Sequence, residues 1–148
     1  MNLYSKRETK VPKFLTQQWV RFLFETLNKD AEYAEGARDF EGRVLIEVQP
    51  SQGFLETSYL YLDVADGKCR EAKLIKDLSS VKADYTFSGT YSKWIKILTR
   101  KTDLNQALLS GELGLKAEAK EKRKLWTKHL RANYMLGNCM TKIPTEFV

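Results

Sequence analysis

The sequence has little of what reactive sites are usually built from. Its 148 residues include one histidine, His129, and two cysteines, Cys69 and Cys139. Two cysteines in a chain of this size do not make a disulfide framework, so we expect buried, reduced thiols and a cytoplasmic location. A single histidine, without cysteines or carboxylates at ligand spacing, predicts neither a metal site nor a bound cofactor.

Signals for membrane insertion, secretion and catalysis are missing as well. The most apolar helix-like run, residues 19–24, is interrupted by Arg21, so no membrane-spanning helix is expected. The first ten residues contain cations but no apolar run after them, which predicts no secretory signal. The sequence has no glycine-rich dinucleotide motif, phosphate-binding loop or nucleophile elbow. These absences favour a protein that is not an enzyme.

Positive charge is abundant and unevenly placed. The net charge is +6, and cations concentrate in residues 93–101 and 116–131. One interpretation is a solvated helix face on which Glu118 and Glu121 are ion-pair partners. The other is a contact surface for anionic lipid head groups, an anionic membrane or the phosphates of coenzyme A. Nucleic acid is the weakest option, because no aromatic base-stacking strand accompanies these cations.

Apolar periodicity predicts a single α+β domain. Residues 13–27 and 30–40 have helical spacing, while residues 43–49, 57–64 and 68–75 alternate as strands of an antiparallel meander. The Asp66-Gly67 pair predicts the hairpin between the last two strands. One long helix, residues 119–139, is expected near the end of the chain. We therefore predict an arm (1–12), a domain (13–140) and a tail (141–148).

The stretch from residue 83 to residue 118 is the most informative part of the chain. It predicts a strand, a helix, a second short helix and another strand. In the first helix, Tyr91, Trp94, Ile95 and Leu98 share one face at the spacing of an amphipathic helix. The unit has more apolar side chains than two strands could bury, so it must pack against the rest of the chain or against a ligand.

Small, apolar and glycine residues follow one another here in a recognisable order: Ala83-Asp84, Trp94-Ile95, Ile97-Leu98, Ala107-Leu108-Leu109, Gly111 and Leu113-Gly114-Leu115. This order resembles the lipid-transfer domain of the sterol carrier protein type two family, over about residues 13–136. The resemblance implies a five-stranded mixed sheet covered by helices and enclosing a hydrophobic tunnel. It also implies binding or transfer of sterols, fatty acids, isoprenoids or fatty-acyl-coenzyme A without turnover.

The leading hypothesis is therefore a non-catalytic binder of a lipid or acyl-coenzyme A. The ligand wall is expected to consist of apolar residues from the two helices, the last strand and the final helix: Trp94, Ile95, Leu98, Leu104, Leu108, Leu113, Leu115, Trp126 and Leu130. Basic residues near its mouth would contact the ligand head group or an anionic surface: Lys96, Arg100, Lys120, Arg123 and Lys124.

Two alternatives remain open. Tyr91 and Trp94 are bulky where the family more often has aliphatic residues, so the tunnel would be narrow or closed. A chain with a closed tunnel would be a structural module that forms homodimers through its aromatic side chains. The other alternative is a small enzyme for an acyl or isoprenoid substrate, with these candidate groups: Tyr59, Tyr61, Asp63 and His129.

Overall fold

The computed structural model describes residues 11–147, which contain six helices and five strands. In chain order they are α1 (Gln17–Lys29), α2 (Ala31–Gly36), β1 (Glu41–Gln49), β2 (Ser58–Ala65), β3 (Lys68–Ile75), β4 (Tyr85–Thr90), α3 (Tyr91–Leu98), α4 (Leu104–Ser110), β5 (Gly114–Lys116), α5 (Ala119–Lys128) and α6 (Leu130–Thr141). A 3-10 turn (Leu78–Ser80) lies between β3 and β4. The predicted α+β class is confirmed, and most of the predicted arm lies outside the described residues.

The strands form one mixed sheet in the order β3-β2-β1-β4-β5. Only the β1–β4 pair is parallel among the described strands, and the predicted antiparallel meander of β1, β2 and β3 is confirmed. Val44, Ile46 and Val48 of β1 belong to the hydrophobic core, together with residues of the helices. Arg43 and Glu47 alternate with them on the opposite side, which we call the open face.

Helix α1 begins later than its apolar pattern predicts. The prediction started the helix at residue 13, but Leu15 has a φ of 61°, in the left-handed region, and the helix begins at Gln17. Thr16 is the N-cap, and its hydroxyl oxygen accepts a hydrogen bond from the Trp19 backbone N–H at 3.3 Å. A capping side chain thus sets the start of the helix, because it satisfies an N–H that has no partner within the helix.

The single final helix predicted for residues 119–139 is wrong. It is divided at His129, whose φ of −121° and ψ of 19° interrupt the helical geometry between α5 and α6. Helix α6 also continues past the predicted end at residue 139, to Thr141. A Cβ atom at Gly137 would lie 2.9 Å from the Cβ of Leu104. This glycine therefore allows α6 to approach α4 closely instead of ending the helix.

Side-chain hydrogen bonds attach α1 to two distant segments. The Trp19 indole N–H donates to the Thr145 hydroxyl at 2.8 Å, which holds the C-terminal tail against the helix. The Asn28 side-chain amide donates to the Cys69 carbonyl at 2.9 Å, and its oxygen accepts from the Cys69 N–H at 2.8 Å. These bonds fix α1 over strand β3 at one edge of the sheet.

Asp30 links the beginning of α2 to the end of α6. One carboxylate oxygen accepts from the Tyr33 backbone N–H at 2.8 Å, and the other pairs with the Lys142 ammonium group. Burial alone would raise the pKa of Asp30, but the hydrogen bonds from Lys142 and Tyr33 outweigh burial and hold that pKa below its ordinary value. The ionised form is therefore the one that stabilises the fold.

We expect the Asp30→Asn variant to lose less of its free energy of unfolding than the wild-type protein as the pH is lowered. A carboxylate with a depressed pKa stabilises the fold above its unfolded pKa, and that contribution disappears as the pH falls through its folded pKa. Asparagine keeps an N-cap oxygen but cannot titrate. Urea unfolding between about pH 5 and pH 2 measures the effect. Lys142→Met should flatten the profile similarly, and a wild-type slope in both variants would contradict the pair's role.

Candidate functional site

The nine apolar residues predicted to line a ligand cavity occupy three kinds of position. Five are buried in the hydrophobic core: Trp94, Leu98, Leu104, Leu108 and Leu113. Three pack against that core from partly buried positions: Ile95, Leu115 and Trp126. Leu130 lies at the surface with 37% of its area exposed. The structure thus brings most of them together as core, and their role as a ligand wall stays a prediction.

Trp94 connects α3 to the sheet. Its side chain is fully buried, and its indole N–H donates to the Glu47 carbonyl oxygen of β1 at 3.0 Å. The indole therefore has both a packing position and a hydrogen-bond partner. A ligand in this part of the interior would have to displace it.

Aromatic side chains from five separate segments pack into one cluster: Phe14, Trp19, Phe54, Tyr91 and Phe147. Tyr91 is buried and stacks on Phe54, with ring centroids 4.7 Å apart and planes 8° apart. Phe147 brings the C-terminal tail into the same cluster, at 6.4 Å from Tyr91. Loop, helix and tail are thereby held together around Tyr91.

An open crevice of about 460 Å³ lies between α1 and β3. Its apolar lining consists of Val20 and Phe24 from the helix and Ala72 and Leu74 from the strand. Val20 belongs to the core, and the other three pack directly against it. The base of the α1–β3 crevice is therefore continuous with the hydrophobic core.

Charged residues surround the mouth of the α1–β3 crevice. Arg21, Arg70 and Lys73 provide three cations, and Glu71 provides a carboxylate. Arg70 pairs with Asp63 at 2.7 Å, and Lys73 pairs with Glu71 at 3.4 Å. The mouth thus places three cations, Arg70 and Lys73 in ion pairs among them, around an apolar base. An anionic head group could bind such cations in place of their carboxylate partners.

A second surface cavity continues along β3. Its volume is about 370 Å³, and its lining includes Leu15, Tyr59, Leu74 and Ile75. Leu74 lines both this cavity and the α1–β3 crevice, so the two share a wall.

A larger groove of about 730 Å³ lies on the open face of the sheet. Its floor includes Leu45 and Thr86, and its walls contain four cations and four carboxylates: Arg43, Lys82, Lys116, Lys120, Glu47, Asp84, Glu118 and Glu121. The sheet itself stands between this groove and the core. A ligand that enters the interior would therefore not enter from this side.

Of the five basic residues predicted to contact a head group, Lys120, Arg123 and Lys124 lie on α5, whereas Lys96 and Arg100 lie elsewhere. Lys96 pairs with Glu112 at 3.6 Å, and Lys124 pairs with Glu121 at 3.9 Å. Arg100 lines a cavity of about 320 Å³ beside Leu104 and α6, whereas Lys120 lines the open-face groove. Arg123 lies exposed on α5. Their contact with a head group or an anionic surface stays a prediction.

The reactive side chains are placed for packing. Cys69 and Cys139 are buried and unpaired, and burial raises the pKa of each thiol to about 12, so both stay protonated at neutral pH. Burial, aided by Lys128 and Lys124, lowers the pKa of His129. The His129 ring packs on Phe40, with centroids 5.0 Å apart.

The other proposed enzyme groups belong to β2, and Asp63 there is paired with Arg70. Residues 11–147 contain no group of histidine, cysteine and acidic side chains that could hold a metal ion. Within the same residues, no helix is long and apolar enough to cross a bilayer.

The family model for the SCP-2 sterol transfer family matches residues 23–125. The chain belongs to this family. The sequence resemblance is thereby confirmed. Members of the SCP-2 family are in general lipid-binding or lipid-transfer proteins without catalytic activity. No curated protein matches the sequence significantly.

Solved structures show the same fold as this SCP-2 family member. A conserved hypothetical protein from Thermus thermophilus is 24% identical, with a TM-score of 0.77 over 90% of this chain and 92% of its own. A crystal structure of sterol carrier protein 2 is 23% identical, with a TM-score of 0.76 over 88% of this chain and 99% of its own. At these identities the likeness concerns the fold alone.

Sequence reasoning did not identify the α1–β3 crevice. One sequence feature indicated it: Val20 and Phe24 make the apolar face of α1 wider than packing against the core alone requires. The other wall is inconspicuous, because Ala72 and Leu74 lie in a strand that is otherwise mostly polar. The SCP-2 site candidate therefore emerges only when the helix and the strand are seen side by side.

Proposed function

We propose that the chain binds a single hydrocarbon chain with an anionic head group, a fatty acid or a fatty-acyl-coenzyme A, in the α1–β3 crevice and transfers it without turnover. The observation that supports this proposal best is the continuity of the crevice base with the hydrophobic core. The volume of about 460 Å³ falls within the roughly 300–1,000 Å³ of small-molecule sites.

Burial of the hydrocarbon chain would supply most of the affinity. Each methylene removed from water contributes about 0.8 kcal/mol, so ten of them contribute about 8 kcal/mol. That equals the free energy of a micromolar dissociation constant, before the cost of association reduces it. Continuation past Leu74 into the neighbouring cavity would add methylenes without changing the head-group contacts.

The three cations at the crevice mouth would hold the head group. Each would bind a carboxylate or phosphate at the rim in competition with its present partners, which are Asp63 and Glu41 for Arg70 and Glu71 for Lys73. Trp94 and the aromatic cluster fill the interior in which a rigid sterol ring system would have to be enclosed, which favours a flexible chain in the surface crevice as the ligand. The nine predicted wall residues would line the ligand only if these aromatic side chains moved aside.

Filling the crevice tests the proposal. We expect Ala72→Trp to weaken palmitate binding at least about tenfold, because the indole would occupy the apolar base. Thermal unfolding with and without palmitate measures this, since ligand at a hundredfold excess over its Kd stabilises by about 2.7 kcal/mol. Ala119→Trp, at an exposed position outside the crevice, is the matched control. Equal binding by both variants would place the ligand elsewhere.

The filled interior favours a second candidate function. If Tyr91 and Trp94 keep their buried positions, the chain would be a module with a closed tunnel that acts through its surface, as a homodimer or with another protein. Leu55 and Leu109, which are 84% and 65% exposed, would be contact residues. This function predicts no stabilisation by any fatty acid or acyl-coenzyme A. Its homodimeric form also predicts a dimer mass in size-exclusion chromatography with light scattering.

A further inference from the structure

The net charge of the chain is concentrated in a short segment. Residues 119–131 contain six cations and one carboxylate, a net charge of +5 in a chain whose net charge is +6. Helix α5 and the first residues of α6 form this segment. The rest of the chain has a net charge of +1, although residues 93–101 carry four cations and no carboxylate. Residues 119–131 are therefore the larger of the two cationic segments that could attract a polyanion.

Four of the five cations of α5 point to solvent from one side of the helix. Lys120, Arg123, Lys124 and Lys128 are all exposed, at the spacing of one helical face. The carboxylate of Glu121 lies on the inner side, where it accepts a hydrogen bond from the Tyr85 hydroxyl at 3.1 Å. Among residues 11–147, the ion pair of Lys124 with Glu121, at 3.9 Å, is the one such pair formed by these four cations.

Apolar side chains border this cationic face. Trp126 of α5 is partly buried, and Leu130 and Tyr134 of α6 are 37% and 45% exposed. Leu130 and Tyr134 are four residues apart, so they lie on the same face of α6. Aromatic and leucine side chains beside lysine and arginine are the combination found in helices that lie in the interface of a bilayer.

We propose that the outer surface of α5 and the start of α6, called here the α5–α6 basic surface, docks the protein on an anionic lipid bilayer. Lys120, Arg123, Lys124 and Lys128 contact anionic head groups, while Trp126, Leu130 and Tyr134 reach the boundary with the acyl chains. Charge complementarity selects the bilayer as the partner. None of these residues lines the α1–β3 crevice, so the inference stands apart from the proposed ligand site.

The apolar border favours a bilayer over nucleic acid. Phosphates of RNA or DNA would be satisfied by the cations alone, and binding would leave Leu130 and Tyr134 in water. A bilayer surface binds the cations through its head groups and buries the apolar side chains at the acyl-chain boundary, with the helix in a single orientation. Binding to single-stranded RNA in preference to vesicles would overturn the proposal.

Vesicle binding tests the surface directly. We expect the full chain to co-sediment with vesicles of phosphatidylcholine that contain one-third phosphatidylserine, and not with phosphatidylcholine alone. Trp19 and Trp94 are fully buried, so a blue shift of tryptophan emission on binding reports on Trp126. Trp126→Phe should abolish the shift and leave co-sedimentation largely intact. Equal binding to both kinds of vesicle, or to neither, would contradict the proposal.

Neutralising the four cations provides the main variant. K120Q/R123Q/K124Q/K128Q should reduce partitioning onto anionic vesicles by on the order of 100-fold. The matched control, K29Q/K68Q/K76Q/K101Q, removes the same charge from exposed positions elsewhere. Its partitioning onto anionic vesicles should fall by less than about fivefold. Circular dichroism checks that both variants fold. A similar loss in both would mean that net charge, and not this surface, governs binding.

A third variant isolates the apolar contribution. L130S/Y134S keeps every charge and should lower partitioning onto anionic vesicles by about tenfold, because less apolar surface is buried at the interface. It should still bind more tightly to anionic vesicles than to neutral ones. Unchanged partitioning of this variant would overturn the assignment of a bilayer as the partner.

Discussion

Replacement of Trp94 by alanine is expected to lower the free energy of unfolding by about 3–5 kcal/mol, the usual cost of truncating a large buried aromatic residue. Trp94 is fully buried, and its indole N–H donates to the Glu47 carbonyl, so the variant loses packing and a contact between α3 and β1. Urea unfolding followed by far-ultraviolet circular dichroism measures the loss without relying on tryptophan emission.

The same variant tests whether the interior can accept a ligand. The alanine leaves a cavity inside the core, where the nine predicted wall residues are concentrated. If an acyl chain enters there, palmitate should stabilise Trp94→Ala by more than it stabilises the wild-type protein. Trp94→Phe retains most of the ring and should show no such gain. Identical stabilisation of all three proteins would confine the ligand to a site away from Trp94.

Replacement of Gly67 by alanine is expected to cost about 3 kcal/mol or more, because backbone strain and a clash act together. Gly67 lies in the β2–β3 hairpin with a φ of +76°, a conformation that disfavours side chains. Its added Cβ would lie 2.8 and 2.9 Å from the Cα and carbonyl carbon of Ala34, and closer still to the carbonyl oxygen. These are backbone atoms of α2, which cannot rotate away. Urea unfolding measures the cost.

Gly111 provides the control for Gly67. It has a similar φ of +83°, but no atom outside its immediate neighbours lies within 4 Å of an added Cβ. Gly111→Ala should therefore cost only the strain of a left-handed residue, about 1–2 kcal/mol. If the two variants lose the same free energy of unfolding, the clash between the hairpin and α2 does not contribute to the loss in Gly67→Ala.

The sheet could be predicted because its signals are local. Alternation of apolar and polar residues identifies β1, β2 and β3, and the bounds predicted for β3 agree with the structure. Asp66-Gly67 has positive φ at both positions, as a tight hairpin turn requires. The order of apolar and glycine residues from Ala83 to Leu115 then identified the family, and the family supplied the mixed topology.

Other features depend on single side chains or on distant pairs. Thr16 moves the start of α1 by capping it, and the irregular backbone at His129 divides the final helix. Neither the capping residue nor the helix break can be recognised from apolar periodicity, because periodicity is averaged over many residues. The α1–β3 crevice requires Phe24 and Leu74 to become neighbours, which no local pattern specifies. The candidate site was therefore harder to predict than the sheet beside it.

The bonds between Asn28 and Cys69 also bear on aggregation. Strand β3 is one edge of the sheet, where unpaired backbone groups invite strands from other molecules. The Asn28 amide occupies both the N–H and the carbonyl of Cys69, as a neighbouring strand would, and Lys68 and Lys73 add charge along the same edge. The opposite edge, β5, is three residues long. Association by continuing the sheet is thus discouraged at both edges, so a homodimer would have to form through side-chain surfaces.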